Sequence, residues 1–249
     1  MSPTRRHGLL EGKTVLVTAA AGTGIGFATA KRCAEEGASV AISDIHERRL
    51  RESAEQIGAF GVVADVTSEA DVQRLFDEVL REFGQLDVLV NNAGLGGTAA
   101  LVDMTDEQWS RVLDVSLTGT MRMTRAALRL MNEQGSGAIV NNASVVGWRA
   151  QAGQSHYAAA KAGVMALTRC AAVEAAPYGV RVNAVAPSLA MHAHLAKVTT
   201  EELLAELTTR EAFGRAAEPE EIANVIVFLA SDLASYMTGE VISVSSQHP

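Results

Sequence analysis

The chain has 249 residues, 48% of them hydrophobic, with 21 Lys and Arg against 29 Asp and Glu and a formal net charge of −8. That length suits one α/β domain with a sizeable core. The acidic balance, relieved only by the short RRH near the start, argues against a nucleic-acid phosphate backbone as partner.

SPTRRHG at the start is followed by no apolar stretch, and the apolar run Ile222 to Ala230 is interrupted by Asn224 and too short to span a bilayer. A soluble, unexported, cytoplasmic protein with no membrane partner is therefore expected. Cys33 and Cys170 lie far apart without C-x-x-C or Cys/His spacing, so buried reduced thiols and no metal are expected.

In chain order, strands are predicted at Thr14–Thr18, Ser39–Ser43, Phe60–Ala64, Leu86–Val90, Gly137–Ala143, Val180–Val185 and Glu240–Val244. Helices are predicted over 25–36, 47–57, 69–83, 106–132, 155–176 and 219–230, the third from apolar residues at Val72, Leu75, Phe76, Val79 and Leu80. Thr67 or Ser68, Thr105 and Pro219 mark helix starts, and Gly37, Gly58, Gly84 and Gly179 mark ends. Strand and helix alternate, which is the pattern of βαβ units around a doubly wound parallel sheet of seven strands, one α/β domain over 1–249. The segment 188–210 has no strand of its own and is expected to form a substrate lid.

The first predicted strand runs into AAAGTGIG, Ala19 to Gly26, and then a helix. Backbone N–H groups at such a turn, aided by the helix dipole, suit a pyrophosphate. The spacing of Gly22, Gly24 and Gly26 is not G-x-G-x-x-G, so a ligand-free tight turn and a methyltransferase loop both stand as alternatives. Asp44 ends the second strand, where a carboxylate can accept hydrogen bonds from an adenosine ribose and repel a 2′-phosphate. Neither Thr23 nor Ile45 supplies an arginine for such a phosphate, and Arg48 and Arg49 read as solvated helix residues; NAD is favoured over NADP.

The richest stretch is Ser144 to Lys161. Tyr157 and Lys161 are spaced i, i+4 and share a helix face. A nearby ammonium favours phenolate and should lower the tyrosine pKa toward the working pH. Ser144 falls at the C-terminal end of the fifth strand, the edge where ligands bind, and could hold a carbonyl or alcohol oxygen.

With the glycine loop, NNAG at Asn91 to Gly94, Ser144 and Y-x-x-x-K together, the sequence resembles the short-chain dehydrogenase/reductase family over essentially its whole length. The methyltransferase alternative explains none of the last three features. The resemblance implies a Rossmann-type fold and hydride transfer between nicotinamide C4 and a substrate carbon. In it Tyr157 moves the proton, Ser144 polarises the oxygen and Lys161 holds the ribose hydroxyls. It also implies cofactor contacts from Thr18, Ala20, Gly22, Thr23, Gly24, Ile25, Asp65, Val66, Asn92, Ala93, Gly94 and Pro187, and a homo-oligomer, often a tetramer.

Departures from the family pattern are informative. Ser116 stands where an asparagine is usual in WSRVLDVSLTG, and is read either as a proton relay through a bound water or as structural. Pro187 is followed by Ser188 and MHAH, with His192 where a threonine is usual; His192 and His194 read as surface residues, and His156 points about 100° from Tyr157. The chain ends VSSQHP where V-D-G-G is usual. Together these resemble the actinobacterial steroid-degradation branch, whose members act on coenzyme A thioesters of a hydroxylated indane propionate. A 3-oxoacyl-thioester reductase is the alternative enzyme, and a non-catalytic nucleotide-binding regulator the alternative of another class.

Overall fold

A computed structural model describes residues 6–191 and 207–247. His192, His194 and most of the expected lid over 188–210 lie outside the described residues.

Seven strands, β1 (Thr14–Thr18), β2 (Ser39–Asp44), β3 (Phe60–Val63), β4 (Val88–Asn91), β5 (Gly137–Asn142), β6 (Val180–Pro187) and β7 (Val241–Val244), make one sheet in the order β3-β2-β1-β4-β5-β6-β7. Every pairing is parallel, with Leu16 opposite Ala41 on one side and Leu89 on the other. Between them run α1 (Ile25–Glu35), α2 (Glu47–Ile57), α3 (Glu69–Phe83), α4 (Asp106–Leu113), α5 (Gly119–Gln134), α6 (Ser155–Ala175) and α7 (Pro219–Ala230).

Strands covered on both faces must be apolar at successive positions, and β1 is buried throughout. Val15 and Val17 pack with Val40, Ile42, Val88 and Val90 toward Ala30, Cys33, Ile222 and Ile226 of α1 and α7. Leu16, one residue out of phase, joins Ala41, Leu89 and Ile139 against Leu75 and Val79 of α3 and Met123, Ala127 and Met131 of α5. The sheet therefore separates two apolar layers. Chain order reverses between β1 and β4, which opens a crevice over the C-terminal ends of these strands.

Helix termini follow local chemistry. The Ser68 hydroxyl accepts the Asp71 N–H, Thr105 and Gln108 form a reciprocal capping box, and Glu218 and Glu221 form another around Pro219. Gly84 closes α3 at φ 78°.

Three expectations need correction. The helix predicted over 106–132 is two helices separated by a π turn at Asp114–Thr118, and the second continues to Gln134. The fourth strand runs from Val88; Asp87 just before it still donates its N–H to the Thr14 carbonyl at 3.0 Å and accepts the Ala138 N–H at 2.9 Å, while its side chain takes the Thr14 N–H at 2.7 Å. Cys170 is exposed; only Cys33 is buried, where desolvation pushes its thiol up to about 12 and makes it inert. Among the described residues no helix is long and apolar enough to cross a membrane, and no group of three His, Cys, Asp or Glu could hold a metal.

Candidate active site

The loop after β1 closes by an unexpected residue. Ala19 adopts φ 50°, the left-handed conformation that glycine favours, and its carbonyl accepts the Asn92 side-chain N–H at 3.1 Å. Gly26 must be glycine, since a Cβ there would lie 2.5 Å from both the Ala19 oxygen and Asn92 Nδ2. Gly22 and Gly24 do the opposite: a Cβ on either would meet nothing within 4 Å, so both backbones border open space. Gly24 caps the start of α1, whose first residue is Ile25, and Thr23 between them is exposed.

Several residues expected to touch cofactor also hold the loops. The Thr18 hydroxyl accepts the Asn92 and Ala93 N–H groups, each at 3.0 Å, and Asn92 also bonds the Thr18 carbonyl at 3.2 Å. Ala20 is fully buried, with its N–H on the Ser43 carbonyl at 3.2 Å. Thus β1 and β4 are laced together beneath the crevice.

Above them opens a cavity of about 430 Å³ lined by Ala19, Asp44, Asp65, Val66, Ala93 and Gly94, among others. The Asp44 carboxylate accepts the Ala21 N–H at 3.2 Å and the His46 N–H at 3.0 Å, while burial raises its pKa from the ordinary value. Asp65 accepts both the Thr67 N–H at 2.8 Å and the Thr67 hydroxyl at 2.7 Å. His46, Thr67, Leu95 and Arg111 also line the cavity. No motif marks these four; His46, Thr67 and Leu95 lie just past strand ends, which was a usable signal, whereas Arg111 sits within α4.

Ser144 follows β5 and caps a short 3-10 turn, Val145–Gly147, by accepting the Val146 N–H at 3.3 Å. That turn sits against α6: a Cβ on Gly147 would come within 3.0 Å of Lys161 and Ala162 backbone atoms. Tyr157 and Lys161 lie on the first turns of α6, with the Lys161 Nζ 5.6 Å from the Tyr157 ring centroid. The Ser144 hydroxyl lies near enough to the Tyr157 phenol to favour its ionised form. Lys161 Nζ donates to the Asn142 carbonyl at 2.6 Å, a contact the motif reading did not include.

The electrostatics differ from the sequence expectation. Burial raises the Tyr157 phenol above its ordinary pKa, and the nearby Ser144 hydroxyl only partly opposes it. Burial also lowers Lys161 to about 8, because its ammonium has one carbonyl and no carboxylate to replace water. Burial thus disfavours both the phenolate and the ammonium and drives the two pKa values apart, with the lysine below the tyrosine.

Ser116 lies fully buried inside the π turn, and its hydroxyl donates to the Leu95 carbonyl at 3.0 Å while accepting the Leu95 N–H at 2.9 Å. Its single hydroxyl proton is thereby occupied, which differs from a free relay. A Cβ on Gly94 would lie 3.3 Å from Lys161 Nζ and 3.8 Å from Ser116 Oγ, so serine and lysine flank the same loop. Pro187 ends β6 and is buried.

A parallel sheet with a reversal over β1 and β4, a glycine cradle there, and a Ser–Tyr–Lys cluster beside it define a nucleotide-dependent oxidoreductase. A family model described as Enoyl-(Acyl carrier protein) reductase matches residues 19–246, and the chain belongs to the short-chain dehydrogenase/reductase family, which uses NAD(P). It is 64% identical to a Mycobacterium tuberculosis protein named (5R,7aS)-5-hydroxy-7a-methyl-1-oxo-2,3,5,6,7,7a-hexahydro-1H-indene-carboxyl-CoA reductase, covering 98% of this chain and 95% of that one. It is 45% identical to the cis-4-hydroxycyclohexanecarboxylate dehydrogenase of Sinomonas cyclohexanicum, over 92% of this chain and 94% of that one. A crystal structure of a short chain dehydrogenase from Mycobacterium smegmatis superposes with a TM-score of 0.88 at 57% identity, covering 100% of this chain and 99% of that one.

Proposed function

We propose that this protein interconverts a secondary alcohol and a ketone with NAD, on an alicyclic substrate carried as an acyl-coenzyme A thioester in steroid-ring breakdown. The observation that carries the chemistry is the Ser144–Tyr157–Lys161 cluster at the sheet edge beside the glycine cradle. The substrate class rests on the name of the M. tuberculosis relative.

The cradle fits a dinucleotide, since Gly22 and Gly24 leave open space above the helix start and the cavity continues past Asp44 and Asp65. A nicotinamide held there would supply the hydride exchanged with the substrate carbon. Asp44, fixed by two backbone N–H groups, accepts from ribose hydroxyls and disfavours a 2′-phosphate, which supports NAD. Ser144 orients the substrate oxygen, Tyr157 takes or gives its proton, and Lys161 holds ribose hydroxyls while its charge favours the phenolate. We assign Ser116 a positioning role, holding the Leu95 backbone beside Lys161.

Initial rates of NAD and NADP reduction across alicyclic alcohols and acyl thioesters test this, with Tyr157→Phe as control. The expected result is NAD-dependent turnover that falls at least about 1,000-fold in Tyr157→Phe, with cofactor binding retained. Retained turnover in the variant overturns the assignment of Tyr157. A 3-oxoacyl-thioester reductase, suggested by 41% identity to the 3-oxoacyl-[acyl-carrier-protein] reductase of Thermotoga maritima, predicts preference for NADP and oxoacyl substrates. No turnover on any substrate leaves the nucleotide-binding regulator.

The working form in this reading is a cytoplasmic homotetramer. On the outer face of α6, Val173 is 77% exposed and lies beside Arg169, Cys170 and Glu174, which supports an interface there. Sedimentation equilibrium should return about four times the 26.2 kDa chain mass; a monomer overturns it.

A further inference from the structure

The C-terminal segment that departs from the family pattern is built into the active-site edge. Gln247 pairs antiparallel with Glu211, and the Ala212 N–H donates to the Ser246 carbonyl at 2.7 Å. Glu211 is 4% exposed and accepts from the Ser246 hydroxyl at 2.8 Å, the Gln247 side-chain N–H at 3.0 Å, the Ser188 hydroxyl at 3.1 Å and the Leu189 N–H at 3.3 Å. All four donors are neutral. Burial opposes its ionisation, but these bonds outweigh that and hold the carboxyl below its ordinary range.

The other end of the Gln247 amide meets the segment that follows Ser144. Its Oε1 accepts from Arg149 Nη1 at 2.5 Å. Arg149 stands five positions after Ser144, and the Trp148 and Arg149 N–H groups both close on the Val145 carbonyl at 3.0 Å, so the Arg149 backbone extends the turn that begins at the serine. Trp148 beside it is 50% exposed. Among the described residues no carboxylate makes an ion pair with Arg149, and only one of its five N–H donors has a partner. A half-buried guanidinium is thus oriented by a neutral amide, which fixes its direction and leaves its charge uncompensated. A purely structural tie would be served as well by a direct Arg–Glu pair, yet Glu211 is held back behind Gln247.

We propose that Arg149 anchors the substrate by an anionic group remote from its alcohol, a carboxylate or a phosphate of a thioester carrier, with Gln247 and Glu211 as its positioning residues. On a chain of net charge −8, a local unneutralised cation gives an anionic substrate its place beside Ser144. Arg149 presents a planar fork suited to such oxyanions.

This rests on the dehydrogenase reading above, and the test separates the two. kcat and KM would be measured for cis-4-hydroxycyclohexanecarboxylate, its methyl ester and its coenzyme A thioester, in wild type, Arg149→Met and Arg149→Gln. The expected result is that the ratio of kcat/KM for an anionic substrate over the ester falls about 10- to 100-fold in both variants, through KM. Loss confined to the carboxylate identifies the acid as the anchored group; loss confined to the thioester identifies the carrier phosphates. Gln247→Leu should lower the same ratio by a smaller factor.

An unchanged ratio in variants that still oxidise the ester overturns the role of Arg149 and leaves the dehydrogenase reading intact. No wild-type turnover on any of the three substrates overturns both. Should Arg149→Met fail to fold, Arg149→Gln, which can still bond the Gln247 amide, decides.

Discussion

Ala19 carries backbone strain on purpose. A non-glycine residue in the left-handed region costs about 1–2 kcal/mol, and here that conformation turns the Ala19 carbonyl onto Asn92 at 3.1 Å. Ala19→Gly removes the crowding, and the extra freedom it gives the unfolded chain offsets part of the gain. Its thermal midpoint should equal or exceed that of wild type, whereas Ala30→Gly, at a buried position inside α1, should lose about 1 kcal/mol or more; equal losses in both would contradict the strain argument. The comparison also shows how the glycine motif was legible and where it was not. Gly24 and Gly26 mark the cradle in the sequence because no side chain fits at Gly26. The leading alanines looked irregular because a sequence records residue types, not φ, and alanine has taken the conformation that glycine usually supplies.

Elements were legible where one force dominated. The central strands stand out because two-sided burial leaves them runs of valine and leucine, as in TVLVT and VLVN, and the helix starts because Ser68 and Thr105 cap them through local chemistry. The break at Asp114–Thr118 was not legible, since a π turn leaves no charge or proline signature. Its causes are long-range: Leu95 binds Ser116 from the loop after β4, and Val66 presses on Gly119. A Cβ at position 119 would lie 2.7 Å from Val66 Cγ2. Gly119→Ala must therefore push Val66, a wall of the cavity, and should cost about 1–3 kcal/mol in denaturant unfolding while raising KM for NAD. A variant with wild-type stability and KM would mean that the two elements slide freely. The Glu211–Gln247–Arg149 chain was equally hidden, because its members come from three segments that only the fold brings together.

At the scale of the molecule, the buried ammonium links the active site to global stability. The Lys161 pKa falls from its ordinary 10.5 to about 8 on folding. Below pH 8 the lysine is charged in both states and its desolvation subtracts from stability in full. Between about pH 8 and 10.5 the unfolded chain keeps a proton that the native chain has released, so this contribution to stability rises with pH. Lys161→Met, lacking the charge, should be more stable than wild type in the cofactor-free protein at pH 7, and its advantage in thermal midpoint should shrink by pH 10. An advantage that grows with pH would contradict the buried ammonium. The π turn also acts on the whole molecule, as a gear tooth. Each residue of a helix advances its side chains by about 100°, so the extra residue in Asp114–Thr118 sets the rotational phase of all of α5. Removing one residue there would rotate Met123, Ala127 and Met131 out of the sheet-facing layer. A one-residue deletion in that turn would therefore unseat half a core, whereas a substitution there would alter only the contacts of one side chain.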